Sequence, residues 1–177
     1  MKQAIRNAVL AALLVMAATL TQVARAQDLK AEAEQAISTF KAKDPTLQTF
    51  FDSSVGYAVF PNVTKGGLIV GGAHGDGLVF ERGRVIGKAT LTQASIGAQA
   101  GGTTYSELIF FQTPDALQAF KEGKFQMSAD VTAVAAAEGV AKTARYQEGV
   151  AVFTLPKKGL MAQASVGGQK FRFQPLQ

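Results

Sequence analysis

The chain of 177 residues has no cysteine, no tryptophan and a single histidine. That excludes disulfide staples and thiol catalysis, and leaves any His-based triad or multi-histidine metal site with one possible member. The formal charge is +5, but Lys2, Arg6 and Arg25 supply three of those charges in an acid-free leading segment. The remainder carries +2, and net charge gives no reason to expect a nucleic-acid partner.

The leading segment reads as a secretory signal peptide. Lys2 and Arg6 precede an apolar run from Ala8 to Leu20, and Ala24-Arg25-Ala26 predicts cleavage after Ala26. The run is shorter than the ~20 residues of a spanning helix. The expectation is an exported, periplasmic protein, peripheral on a membrane, with residues 27–177 long enough for one domain.

Leu29, Ala33, Ala36, Ile37 and Phe40 recur at helical spacing, predicting an amphipathic helix from Asp28 to Lys43. Asp44-Pro45 stops it, because the residue before proline is pushed out of the α region. A second short helix, Pro45 to Asp52, presents Leu47, Phe50 and Phe51. Two readings stand for this pair: it covers a sheet, or its aromatic-tipped face inserts into a lipid interface.

From Val55 to Gly87, short apolar runs alternate with glycines and single charges, predicting a meander of short strands. Gly56-x-Ala58-Val59-Phe60-x4-Lys65-Gly66 returns as Gly149-x-Ala151-Val152-Phe153-x4-Lys158-Gly159, which suggests one strand-turn-strand unit used twice. Lys88 to Gly102 consists mostly of small residues, suited to close backbone approach beside a sheet or a ligand. Tyr105 to Gln112, with Leu108-Ile109-Phe110-Phe111, reads as a central strand. Thr113-Pro114-Asp115 then opens a helix with Leu117 and Phe120 facing inward and Gly123 as its stop. Residues 129–144 fit either period, and strand is the preferred reading. Val150–Leu155, Leu160–Val166 and Gln169–Phe173 complete the strands, the last with Phe171 and Phe173 opposite Lys170 and Arg172. The predicted class is α+β: a Gly-rich, curved, mostly antiparallel or barrel-like sheet with amino-terminal amphipathic helices and one inserted helix.

Little in the sequence points to catalysis. His74-Gly75-Asp76 offers two metal ligands without a third and reads better as a polar glycine turn. Gly97 to Gly102 lacks dinucleotide-loop spacing, and no GxxxxGK[ST] occurs, so neither metal nor cofactor is expected. Glu107, in an apolar strand, either titrates high as an acid/base candidate or is satisfied by backbone or a lysine. Lys65, Arg82, Arg84, Lys88, Lys157, Lys158, Lys170 and Arg172 fall in or beside the repeated turns. If the two units pack side by side, these charges form a rim that attracts anionic phosphate; otherwise they are solvated turns.

Tyr57-Ala58-Val59-Phe60-Pro61, Lys65-Gly66-Gly67, Gly71-Gly72, Gln93 to Gln99, Glu107 to Phe111, Ala116-Leu117-x2-Phe120 and Gly159-Leu160-Met161 stand in an order that resembles the SYLF lipid-binding domain, also called the YSC-type actin-binding domain. The resemblance spans about Leu29 to Phe173. It implies a non-enzymatic module for phospholipid head groups, which in eukaryotic relatives are phosphoinositides, joined in some by actin filaments. Export makes actin an unlikely partner here. The family's lipid contact maps to the Leu29–Phe40 face and Lys65. The expected function is binding of anionic phospholipid at a bacterial envelope membrane, through Lys65, Arg82, Arg84, Lys157 and Lys158 with insertion of Phe50 and Phe51. The competing expectation is a structural module for an envelope protein partner, and a hydrolase built on Glu107 is the least favoured.

Overall fold

A computed structural model describes residues 25–67, 70–96, 99–158 and 166–176. The predicted signal segment up to residue 24 and most of the predicted Leu160–Val166 strand lie outside them. Helix α1 covers residues 25–43. It is followed by a 3-10 turn, Pro45–Leu47, and helix α2, Gln48–Ser53. Strands β1 (Gly56–Gly67), β2 (Val70–Glu81), β3 (Arg84–Ile96) and β4 (Gln99–Phe111) come next, then helix α3 (Pro114–Lys121). The chain ends with β5 (Val134–Ala135), a 3-10 turn at Val140–Lys142, β6 (Val150–Lys158) and β7 (Lys170–Pro175). The fold is α+β, and its sheet is open, ordered β5-β6-β4-β1-β2-β3-β7 and antiparallel except for β5 with β6.

The meander strands are 12 and 13 residues long, not short. Glycines expected to break them sit inside them. A Cβ at Gly75 would meet the Asn62 carbonyl of β1 at 2.9 Å, and one at Gly77 would collide with Val59 O and the Phe60 ring. Glycine therefore permits close approach there, and His74-Gly75-Asp76 is extended strand, correcting the predicted turn. Pro61 interrupts the ladder, and the register of β1 slips beside it on both neighbours. The hairpin tip is Arg82-Gly83, both with positive φ (50° and 74°), as a two-residue type I′ turn requires.

Period-2 alternation divides the core into two layers. Val59, Leu78, Phe80, Leu108, Phe110 and Phe153 meet Ala33, Ala36 and Phe40 of α1 and Phe50 of α2 on one face. Ala58, Phe60, Val79, Ile109, Phe111 and Val152 meet Leu117 and Phe120 of α3 on the other, with Met127 and Val131 beyond. Burial on both faces explains the unbroken apolar run of β4, which sits between β6 and β1 as its sequence predicts. Helix α3 opens as expected: the Thr113 side chain accepts from Ala116 N at 3.2 Å, and Gly123 leaves at φ 68°.

Two expectations fail. Residues 129–144 form neither an α-helix nor a long strand; the two-residue strand Val134–Ala135 pairs in parallel with β6, and Val140–Lys142 is a 3-10 turn. The internal echo does not pack side by side, because β4 separates β1 from β6. Moreover, Ile109 faces Ala58 on one side and Val152 on the other, one residue out of step with the echo. Matched residues thus land on opposite faces.

The absence of disulfides is met by a polar tether. Asp44, 1 % exposed, accepts from Thr46 N and Oγ1 at 3.0 and 2.6 Å. It also accepts from Gly139 N at 3.1 Å and Ala141 N at 2.8 Å. Burial alone would raise its carboxyl, but these bonds together hold it below its ordinary value.

Candidate functional site

One face of the sheet stays buried along its length, and there the strands bring polar side chains together. Val63 is buried in that layer, and Lys65, two residues on, follows it inward at 9 % exposure. Tyr105 and Glu107 share the alternation of Ile109 and Phe111 and are fully buried. Gln169, at the turn before β7, donates through Nε2 to Glu107 Oε2 at 2.9 Å. That turn is docked by Met127 N to Gln169 O (3.0 Å) and by Gln93 Nε2 to Gly167 O (2.7 Å). Among the described residues, Glu107 Oε1, Gln169 Oε1 and the Tyr105 hydroxyl have no hydrogen-bond partner within bonding geometry. Burial pushes the Glu107 carboxyl up to about 7, against smaller opposing effects of Gln169 and Lys65. Burial and the charge of Glu107 push the Tyr105 phenol above its ordinary value.

When protonated, Glu107 completes this arrangement. A carboxylic acid and an amide pair reciprocally, N–H to carboxyl oxygen and O–H to amide oxygen, which satisfies both orphan Oε1 atoms. Of the two readings of Glu107, burial favours the raised pKa; its hydrogen-bond partner is an amide rather than backbone or a second carboxylate, with Lys65 acting only as a smaller opposing charge. No pair of nucleophile and base is present, and no group of three or more metal-ligating side chains occurs among the described residues.

The opposite face is covered only in part. Leu78 and Phe80 of β2 are still buried there, but His74, Asp76, Thr92, Lys170 and Arg172 are exposed, with Lys88 and Thr90 half-buried. Cross-strand register aligns Thr64 with His74, His74 with Thr92 and Thr92 with Lys170. The next row runs Asn62, Asp76, Thr90, Arg172, and a third pairs Leu78, Lys88 and Gln174. Between the start of α1 and these rows lies a groove of about 550 Å³, with Arg25, Asp28, Glu32, His74, Asp76 and Lys88 in its wall. A second hollow of about 490 Å³, holding Lys170 and Arg172, shares Thr90 and Gln174 with it. Among the described residues none of Arg25, Lys88, Lys170 and Arg172 is in an ion pair; the three pairs present are Lys30–Glu34, Lys121–Glu81 and Lys124–Glu122.

The residues expected to form the basic rim are dispersed. Lys65 is interior. Arg82 and Arg84 stand at the β2–β3 tip, level with Gly56, whereas Lys65 pairs with Ala73 at the far end of the same strands. The separation along β1 is roughly 30 Å at the ordinary strand rise. Lys157 is exposed and donates to Asn62 Oδ1 at 2.9 Å. Lys158 ends β6 opposite Thr104. Phe50, 6 % exposed, packs on Phe153 and Phe110 at 5.1 and 5.5 Å. Phe51 is half-buried, edge-on to Tyr57 and Phe110 at 4.9 Å each, with Lys41 Nζ 4.3 Å from its ring centre. The α1 face carrying Ala33, Ala36 and Phe40 is likewise turned into the core. These groups hold helices to sheet, correcting the picture of an exposed aromatic tip. The sequence did contain the signal for the exposed cations, in the alternation of Lys170 and Arg172 with Phe171 and Phe173. It did not reveal Gln169, whose pairing depends on a contact 62 positions away.

The open face of the half-covered sheet is thus polar and carries cations without an ion-pair partner among the described residues. Comparison with known proteins adds a family match. Residues 92–175 match the family described as Ysc84: Las17-binding protein actin regulator. Residues 92–175 thus carry the Ysc84 (SYLF) signature, the family that the ordered motifs resemble. That family comprises binding domains, with lipid and actin as ligands in eukaryotes. The chain is also similar to Beta cell expansion factor A of Aeromonas veronii, 30 % identical over 142 residues. The match takes in 78 % of this chain and 53 % of that protein, so the chain spans about half the length of the curated relative. No helix among the described residues is long and apolar enough to cross a membrane.

Proposed function

We propose that this chain binds anionic phospholipid at a bacterial envelope membrane surface, without catalysis, after export by its amino-terminal segment. The observation that carries the reading is the set of unpaired cations, Lys88, Lys170 and Arg172, on the open sheet face. Each basic side chain near an anionic surface contributes about 1 kcal/mol, so three give attraction that is substantial at low salt and fades as salt screens it. Thr92, beside Lys170 in register, adds a hydroxyl donor for phosphate oxygens. The family's lipid binding in eukaryotes supports the same reading.

The test is co-sedimentation with phosphatidylglycerol vesicles at low and high salt, comparing the unaltered protein with Lys170→Glu/Arg172→Glu. Salt-sensitive binding that the double reversal abolishes is expected. Binding untouched by that reversal but lost in Arg82→Glu/Arg84→Glu would move the contact to the hairpin tip. No binding to any vesicle would favour a protein partner.

A further inference from the structure

We propose that the groove between α1 and the open sheet face is a head-group site for a phosphorylated primary amine, of the phosphoethanolamine type. The inference deepens the phospholipid reading and rests on it for the lipid source of the ligand. Its starting point is a charge division within one continuous surface. The groove holds all the acids of this surface, Asp28 and Glu32 beside Arg25 on the α1 side and Asp76 beside Lys88 on the sheet floor. Past Thr90 and Gln174 the same floor carries Arg172 and Lys170. In register, Asp76 faces Thr90 and Thr90 faces Arg172, so the carboxylate and guanidinium stand two strand spacings apart, roughly 10 Å between Cα atoms. Side chains on one row point the same way, so both charged ends reach into the space above Thr90.

Neither end is neutralised internally. Asp76 accepts from Thr90 Oγ1 at 2.9 Å through Oδ1 only, leaving Oδ2 open. Arg172 has no ion-pair partner among the described residues. A ligand with an ammonium at one end and a phosphate monoanion at the other matches both, the ammonium at Asp76 and Asp28, the phosphate at Arg172 and Lys170. A multiply phosphorylated inositol is a poorer match, because it has no ammonium to place at Asp76 and Asp28. A trimethylammonium head group is disfavoured as well: it has no N–H to donate to the carboxylates.

The test uses the full chain and vesicles with a fixed fraction of phosphatidylglycerol, the balance being phosphatidylethanolamine or phosphatidylcholine. Roughly five- to tenfold tighter binding to the ethanolamine vesicles is expected, the worth of one ordinary net hydrogen bond at an exposed site. Asp76→Asn keeps an acceptor for Thr90 and should erase that preference while leaving glycerol-dependent binding intact; Asp28→Asn, on the helix side, should weaken it. Equal binding to both vesicle types, or a preference that survives in Asp76→Asn, overturns the proposal while the phospholipid reading stands. Absence of binding to every vesicle, together with no chemical-shift change on adding O-phosphoethanolamine, overturns both. Binding of soluble O-phosphoethanolamine without vesicle binding supports the site and assigns it a free ligand.

Discussion

Replacing Glu107 by glutamine tests the buried polar cluster most directly. In the unfolded chain this carboxyl titrates near its model value of 4.5, and in the fold it is pushed up to about 7. Between those values the folded state holds more protons than the unfolded one, so stability falls as pH rises. The cost is absent below about pH 4.5 and complete above about pH 7, where the difference of some 2.5 units amounts to about 3 kcal/mol. Glutamine cannot ionise, and its amide can still pair with Gln169 through one acceptor and one donor. At pH 8 the variant should therefore be about 3 kcal/mol more stable than the unaltered protein, a rise of roughly 6–12 °C in Tm for a chain this size. At pH 5 the difference should shrink to under about 1 kcal/mol. Urea unfolding followed by circular dichroism at pH 5, 6, 7 and 8 measures both series. A stability difference that stays constant across this range would refute the argument, as would a variant weaker at pH 8, because either outcome means that ionised Glu107 has partners that offset its burial.

Two further outcomes follow from the fold. Asp44→Ala removes a cap and orphans the buried N–H of Ala141 along with that of Gly139, so a loss of about 3–5 kcal/mol in urea unfolding is expected; Asp44→Asn should retain part of this. Gly87→Ala places a Cβ against the Phe173 ring and the Gln174 carbonyl of β7, so it should cost about 1–3 kcal/mol and weaken vesicle binding through Lys170 and Arg172 without altering either.

Much of this architecture was legible because its determinants are local. Helix α1 follows from apolar spacing, α3 from the Thr113 cap and the Gly123 stop, the central place of β4 from four consecutive bulky residues. Glu107 drew notice as a lone acid in that run. What escaped depends on which strands meet. Gly75 and Gly77 carry the signature of a turn, yet here they admit the backbone of β1, and only the register distinguishes the two uses. Likewise the echo of β1 in β6 is real as a string of letters, but a one-residue offset across β4 reverses its faces. The basic rim failed for the same reason: cations near one another in sequence were placed at opposite ends of strands some 12 residues long.

The bonds of Asp44 make the exit of α1 and the segment at residues 139–141 a single cooperative unit, although about 95 positions of chain separate them. Helix α1 cannot peel from the sheet by itself. Lifting it draws the carboxylate away from the two amides, so the distant segment loosens in the same event, and amide hydrogens on both should exchange with one opening free energy. An encounter that drew the apolar side of α1 into a bilayer would therefore announce itself far from the helix, as new protease sensitivity around Gly139.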